Sequence, residues 1–188
     1  TDLVLPGNAG HDLRFQRTYN SKTGGWSFGL AGMVMAVWDD CPSHPYCSTP
    51  VYLPLPTLVG ADGSRTPTVL LNQPASGSDW EGWRRVTTDQ FGKYDRTDRR
   101  LYMPDGSIGE YDWGGYAKLL TAYQDPFGNR ITLSGYGTST LTVTQLLGNG
   151  EQRSITWNYS AGFPTTLNYN ASTWTYTWNS GLSRVTSP

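Results

Sequence analysis

The stretch Thr173-Trp174-Thr175-Tyr176-Thr177-Trp178-Asn179 decides the fold class, because polar and aromatic side chains alternate along it. In an extended strand, successive side chains point to opposite faces of the sheet. Trp174, Tyr176 and Trp178 would therefore share one face, and the three threonines would share the other. A helix would instead repeat its apolar positions with a period of about 3.6 residues. The stretch therefore predicts a β-strand with one face turned inward.

Turn-forming residues punctuate the C-terminal half at nearly regular intervals. Every second turn, at positions 106, 128, 149 and 171, follows the previous one by 21 or 22 residues. Two short strands joined by a tight turn fit in each interval, which is typical of stacked hairpins. The sequence predicts an all-β fold, an antiparallel meander of hairpins with about 21–22 residues per two-strand repeat in a twisted or curved sheet. We expect very little helix, since no segment carries a sustained helical apolar stripe with caps.

The first part of the chain is less regular than the second. We interpret residues 1–83 as a strand-and-loop region and residues 84–188 as the hairpin repeats that follow it. Residues 13–19 and 33–38 have the alternating or apolar pattern of strands. Residues 39–57 contain five prolines, which remove backbone donors and predict a loop. We expect the two regions to form one continuous sheet.

The composition favours a β-rich protein and narrows the choice of partners. Charged residues make up 15% of the 188 residues, and aromatic residues make up 13%. Low charge with many aromatic residues argues against disorder. The formal net charge of −1 gives no field that would attract phosphate backbones, so we expect no nucleic-acid partner. No apolar stretch approaches the roughly 20 residues of a spanning helix, so we expect no membrane insertion.

Two cysteines lie close together in Cys41-Pro42-Ser43-His44-Pro45-Tyr46-Cys47. A local disulfide is favoured over free thiols, because two prolines stiffen a short loop whose ends can meet. A metal site is disfavoured, since it needs four ligands and His44 is the only other good ligand nearby. We therefore predict a Cys41–Cys47 disulfide, no metal and no cofactor. Such a bridge would indicate an oxidising compartment, and hence a secreted or cell-surface protein.

The stretch Tyr123-Gln124-Asp125-Pro126-Phe127-Gly128-Asn129-Arg130-Ile131-Thr132 resembles the recurring turn of the RHS/YD-repeat family, and the repeat length also agrees. Residues 175–188 are similar to the repeat that ends the usual unit of that family. They depart from it at Trp178-Asn179, where Tyr-Asp is common, and at Ser187-Pro188, where Asp-Pro is common. The region that introduces the repeats in the family is similar to residues 2–7, 13–21 and 25–27. Residues 39–83 have no counterpart.

The resemblance implies a structural wall segment. In that family the repeats spiral into a hollow β-sheet shell that encloses a toxin, and related shells serve as surface scaffolds. This chain is too short to close a chamber, so its partners would be the remainder of the shell or identical subunits, joined through sheet edges. We predict no enzyme and no catalytic residues. The acidic pairs at residues 39–40, 95 and 98, and 110 and 112 adjoin turns or arginines, which favours solvated carboxylates over acid–base catalysis.

Turn chemistry gives a role to several residues of the repeats. An Asp before Pro can accept backbone hydrogen bonds, Pro presets φ, and Gly takes positive φ. The residues predicted to fix hairpin register in this way are Asp105, Gly106, Asp125, Pro126, Gly128 and Asn129. Family shells can also contain a self-cleaving Asp-Pro-Leu-Gly-like site. Residues 125–128 lie at one of the regularly spaced turns of the repeats, so we interpret them as a turn and not as a cleavage site.

The aromatic residues leave one alternative function open, a carbohydrate-binding β-domain. Exposed rings could stack on sugars, and the candidates are Trp80, Trp83, Trp113, Trp157, Trp174 and Trp178. Against this hypothesis, alternating aromatic residues in strands are more often buried between sheets. Asn158-Tyr159-Ser160 and Asn170-Ala171-Ser172 also match the glycosylation triplet.

Overall fold

The computed structural model describes residues 2–7, 12–21, 25–39, 55–72, 85–88, 91–112, 117–161, 163–179 and 181–188. Within these ranges the chain is all-β, as the sequence predicts, and it contains no helix that could cross a membrane. The strands are β1 (Leu3–Leu5), β2 (Leu13–Asn20), β3 (Gly25–Leu30), β4 (Val34–Trp38), β5 (Thr57–Gly60), β6 (Arg65–Pro67), β7 (Val69–Leu70), β8 (Arg85–Thr87), β9 (Lys93–Asp95), β10 (Arg100–Tyr102), β11 (Ile108–Asp112), β12 (Ala117–Gln124), β13 (Arg130–Ser134), β14 (Thr140–Leu146), β15 (Gln152–Ser160), β16 (Phe163–Tyr169), β17 (Ser172–Trp178) and β18 (Leu182–Thr186).

Strands β7 to β18 form a continuous antiparallel meander, in which each strand pairs with the next one along the chain. The hairpin arrangement predicted for the C-terminal half is therefore confirmed. Side-chain alternation decides which face is buried, as strand β17 illustrates. Tyr176 is buried and Trp174 and Trp178 pack beside it, whereas Thr173, Thr175 and Thr177 are exposed on the opposite face.

The large sheet forks at β12. Residues Ala122–Gln124 of β12 pair with β13, and residues Ala117–Leu119 pair with β4. Strand β11 occupies the other edge of β12, so β4 and β13 share one edge. Strand β4 continues through β5 to β6. The fork thus joins the N-terminal strands to the repeats through pairs that are far apart in sequence.

Strands β1, β2 and β3 form a separate three-stranded antiparallel sheet. The sequence predicts one continuous sheet, whereas the structure has two, and the physical reason is burial. Leu13, Phe15 and Leu30 of the small sheet are buried in the same core as Trp157 of the large sheet. A sheet with one apolar face needs a second layer over that face, and the small sheet supplies it. The domain boundary predicted at residues 83 and 84 lies outside the described residues and stays a prediction.

The outer strands of the large sheet each have one partner among the described residues. Strand β18 pairs with β17, β6 pairs with β5, and β7 pairs with β8. No described strand pairs with the backbone N–H and C=O groups on the other side of these strands, and such an edge can accept a further strand. These strands are therefore the places where the sheet can be extended.

Candidate assembly surface

A five-residue turn recurs between neighbouring strands, and we call it the pentad turn. Its position 1 N–H donates to the C=O of position 5, and its position 4 N–H donates to the C=O of position 1. The N···O distances lie between 2.8 and 3.2 Å. This bonding matches a hairpin whose type I turn ends in a left-handed residue. The copies are residues 60–64, 88–92, 103–107, 125–129 and 147–151.

Position 4 of the pentad turn has positive φ in every copy. Gly63, Gly106, Gly128 and Gly150 occupy it with φ between 78° and 88°. Glycine adopts this conformation without the steric penalty of a Cβ atom. The last three of these glycines are spaced 22 residues apart. From Gly106 to Gly150 the sequence period is therefore the spacing of pentad turns along one end of the sheet, here called the pentad end. The predicted turn at position 171 is instead a two-residue turn, since Tyr169 pairs directly with Ser172.

A side chain caps the backbone N–H of position 5 in every copy. In three copies the cap comes from position 3, where Asp62, Asp105 and Asn149 each accept this N–H at 2.9 Å. In the other two copies the cap comes from position 1, where Thr88 and Asp125 accept it. Short polar side chains are suited to such local bonds to the backbone. The cap fixes the residue that begins the second strand, and so fixes hairpin register.

The carboxylate of Asp125 is buried within its turn. Its Oδ1 accepts the N–H groups of Phe127 and Asn129 at 2.9 Å, and its Oδ2 accepts the side-chain Nδ2 of Asn129 at 2.6 Å. The Oδ1 atom of Asn129 accepts the N–H of Gly148 at 3.0 Å, which ties this turn to the next copy. The structure thus places the predicted turn residues Asp105, Gly106, Asp125, Pro126, Gly128 and Asn129 in two copies of the pentad turn.

The sequence marks turns at Asp62 and Asn149, but it does not assign the caps that Asp62, Asn149 and Thr88 supply. The first two precede a glycine, as Asp105 does, and an Asp-Gly or Asn-Gly pair between strands is a strong hairpin signal. That signal predicts both turns, but it does not say which side chain caps the backbone. Thr88 has no such marker, because its turn carries Phe91 where the other copies carry glycine.

Phe91 adopts the left-handed conformation of position 4 with φ of 59°. A Cβ atom makes this region unfavourable by roughly 1–2 kcal/mol for an ordinary L-residue. The ring is 77% exposed, and no large apolar side chain among the described residues is more exposed. Packing within the chain therefore does little to offset the strain at this residue.

The tryptophans proposed as sugar-stacking rings divide into two groups. Trp157 is 2% exposed and lies edge to face against Phe15, with ring centroids 5.5 Å apart. Trp174 and Trp178 pack against the same core, and Trp178 Nε1 donates to the C=O of Pro164 at 2.6 Å. These three rings face the interior, so they do not form a solvent-facing row. Trp80, Trp83 and Trp113 lie outside the described residues, as does the predicted Cys41–Cys47 disulfide.

Two carboxylates of the repeats, Glu110 and Asp112, lie in ion pairs with arginine side chains. Glu110 accepts hydrogen bonds from Arg130 at 2.8 Å and from Arg100 at 3.0 Å. The Arg130 hydrogen bond is the main cause that lowers the pKa of Glu110, and Arg100 adds to it. Asp112 is paired with Arg99. A carboxylate with a lowered pKa is poorly suited to act as a general acid near neutral pH.

A buried ion pair joins the residue after β4 to the residue after β9. Arg96 lies 3.1 Å from Asp39, and both side chains are almost completely buried. Burial lowers the pKa of Arg96, and the neighbouring Asp39 opposes that effect. Burial also raises the pKa of Tyr94 in the same region, and Asp39 contributes in the same direction. Removing one partner of such a pair would leave an uncompensated buried charge.

Two cavities open between structural layers or turns. One of about 380 Å³ lies between the two sheets, and its apolar lining includes Met33, Leu101, Met103 and Tyr111. The other, of about 420 Å³, lies between the turns at residues 135–139 and 159–161 and includes the rings of Tyr136 and Tyr159.

Comparison with known protein-family models and with curated proteins gives no match for this chain. The described residues contain no group of three or more His, Cys, Asp or Glu side chains that could hold a metal ion. The features that the structure brings together are the capped pentad turns along one end of the sheet and the outer strands at its sides. Both are suited to extending or joining sheets.

Proposed function

We propose that this chain is a structural wall segment of an RHS/YD-repeat shell or surface scaffold, without enzymatic activity. The observation that carries the proposal is the 22-residue spacing of Gly106, Gly128 and Gly150 in consecutive hairpins. Such a repeat adds two strands per unit and can continue without changing its geometry. Proteins of this kind gain stability from each unit and from its contact with the neighbouring unit.

The outer strand β18 supports the proposal. Leu182 and Val185 of β18 are only partly buried, although both pack against the core. A further strand beside β18 would pair its free backbone groups and cover more of these side chains. The partners would be the remainder of the shell or identical subunits, which meet at sheet edges. The protein would be secreted or located on the cell surface.

The Tyr123–Thr132 stretch also supports the proposal. The residues that resemble the family turn have a physical role, because the Asp125 carboxylate accepts three hydrogen bonds and Asn129 accepts one from the following turn. A turn motif with this bonding would set the register of one hairpin and its position against the next. The motif would then recur for structural reasons.

The proposal can be tested by adding one more unit to the chain. Residues 147–169, which contain a pentad turn and two strands, would be fused directly after Thr186. The matched control would carry the same residues in scrambled order. If the chain is an extendable wall, amide hydrogen exchange in β18 should slow by at least about tenfold relative to the control, since its outer edge becomes paired. Equal exchange of β18 in both fusions would contradict the proposal.

A further inference from the structure

The cavity of about 420 Å³ between the turns at residues 135–139 and 159–161 has the chemistry of a ligand site. We propose that it binds one neutral pyranose ring, either as a single sugar or as a unit of a longer glycan. The cavity lies at the end of the sheet opposite the pentad end, between strands β13 and β16. The inference goes beyond the wall-segment function and does not depend on it, because no outer strand contributes to the cavity.

The absence of charge at the cavity limits the class of ligand. Of the described residues that line it, none carries a charged side chain. Burial raises the pKa of Tyr136 and of Tyr159 above the ordinary value of 10, so both phenols stay neutral. An ion that entered would give up water without meeting an opposite charge. The volume lies in the range of roughly 300–1,000 Å³ that is typical of small-molecule sites.

Two tyrosine rings of the cavity are held in place by the fold. Tyr136 and Tyr159 line the cavity, and both also pack against the hydrophobic core. The Tyr136 hydroxyl donates to the C=O of Leu120 at 2.7 Å, and the Tyr159 ring lies 5.8 Å from the Trp157 ring, centroid to centroid. Rings that are already fixed lose little conformational freedom when a ligand binds. The C–H groups of a pyranose can pack on such rings.

The hydroxyl groups of the cavity distinguish a sugar from a purely apolar ligand. Among the described residues the Tyr159 hydroxyl has no hydrogen-bond partner, in contrast to the Tyr136 hydroxyl. Ser139 is exposed at the same lining, and its hydroxyl also has no partner in that part of the chain. An apolar ligand would take these groups out of water without replacing their hydrogen bonds. A sugar can donate to them and accept from them.

Irregular backbone forms the wall of the cavity. The pairing of β15 with β16 shifts register between Asn158 and Tyr159, and such bulges change the direction of a side chain. Gly135 has a φ of 92°, and a Cβ atom there would overlap the C=O of Thr140. Ala161 has a φ of 50° although it carries a Cβ atom. Strain of this kind is often retained where a ligand is held.

Saturation-transfer NMR and isothermal titration with neutral sugars test the site. The probes are the methyl glycosides of glucose, galactose, mannose and N-acetylglucosamine, together with cellotetraose. Tetragalacturonic acid is the charged comparison. We expect at least one neutral probe to bind the wild-type chain at millimolar concentration, and tetragalacturonic acid to bind more weakly than that probe. Binding of a methyl glycoside indicates a single terminal sugar, and binding of cellotetraose alone indicates a longer chain. Failure of every neutral probe, or tighter binding of the charged one, would overturn the inference.

Two substitutions of Tyr159 locate the binding. Tyr159→Phe removes only the hydroxyl and should weaken binding by about three- to tenfold, as expected for one hydrogen bond. It removes no hydrogen bond within the described chain, so its melting temperature should match the wild type. Tyr159→Ala removes the ring and should abolish binding. The matched control is Tyr19→Ala, which removes an exposed ring of the small sheet and should leave the affinity unchanged.

The variants also separate this site from other aromatic surfaces. Wild-type affinity in both Tyr159 variants, or an equal loss in Tyr19→Ala, would overturn the inference. Either result would leave the wall-segment proposal to be decided by its own fusion experiment.

Discussion

At the residue scale, caps of the same kind in different pentad turns should contribute very different amounts to the free energy of unfolding. The Asp105 carboxylate is exposed and accepts the N–H and hydroxyl of Ser107. The Asp125 carboxylate is buried, and so is Asn129, which donates two of the three hydrogen bonds that this carboxylate accepts. A buried donor that loses its acceptor carries its full desolvation penalty. Burial of the acidic side chain decides whether water can take its place, and so how much each turn depends on its acidic residue.

We predict that Asp125→Ala lowers the free energy of unfolding by about 2–4 kcal/mol, because three donors lose a charged acceptor. Asp105→Ala should lower it by about 1 kcal/mol, as expected for an exposed cap. Urea denaturation followed by circular dichroism would measure both values. Equal effects of the two substitutions would show that burial of the turn does not matter.

Gln145 is a polar residue in a buried position. Its side chain is almost fully buried on the core face of β14, and neither amide atom has a hydrogen-bond partner among the described residues. Burial of an amide without partners is unfavourable by about 1–3 kcal/mol in proteins. We predict that Gln145→Met, which keeps the length of the side chain, raises the free energy of unfolding by about 1–2 kcal/mol. A lower melting temperature for this variant would contradict the prediction.

At the element scale, Glu110 connects three strands, because it lies on β11 and binds Arg100 of β10 and Arg130 of β13. Its pKa in the folded chain is below the ordinary value of 4.5. The stabilisation from this carboxylate is therefore present above the unfolded pKa and is lost as pH falls through the folded pKa. Below that range the folded chain no longer gains from the ionised form.

We predict that Glu110→Gln destabilises the chain at pH 7 by up to about 1 kcal/mol, the range found for partly exposed ion pairs. The difference from the wild type should shrink as pH falls through the lowered pKa of the folded state, where the wild-type carboxylate also becomes neutral. Urea unfolding at several pH values would measure it, and a double-mutant cycle with Arg130→Gln would isolate the pair. A difference that does not depend on pH would argue against the ion pair as its cause.

The sequence predicts the turns well because their causes are local. Gly106, Gly128 and Asp125 act within five residues, so the turn type can be read from the residues themselves. The pairing of β4 with β12 has no comparable local signature, since Ala36 and Leu119 are brought together only by the complete fold. Phe91 was unpredictable for a related reason. Its neighbours do not reveal that it occupies a position that glycine fills elsewhere.

At the scale of the whole molecule, the two sheets are held together by aromatic side chains from both layers. Phe15 and Phe28 of the small sheet lie edge to face against Trp157, and Phe28 also contacts Tyr176. The sequence alternation correctly predicts that Trp174 and Trp178 share a face. It does not reveal which layer covers that face, because Leu13 and Phe15 have the same pattern as a strand within a single continuous sheet.

We predict that Phe15→Ala lowers the free energy of unfolding by about 3–5 kcal/mol, because it opens a cavity between the layers. Tyr19→Ala is the matched control on the same strand, since the Tyr19 ring is exposed and contacts only Trp26 among the described rings. It should change stability by less than about 1 kcal/mol. Guanidinium denaturation would measure both variants. A small effect of Phe15→Ala would indicate that the small sheet contributes little to the common core.

The fork at β12 sets an order of events during synthesis of the chain. Hairpins between β13 and β18 close short loops, and β4 can pair with β5, but the other edge of β4 must wait until residues 117–119 have been made. Contacts between distant residues form more slowly, because a long loop has to close first. That edge of β4 would therefore spend the longest time exposed to proteases and chaperones, and pulsed hydrogen exchange during refolding should find the amides that bond β4 to β12 the last to be protected.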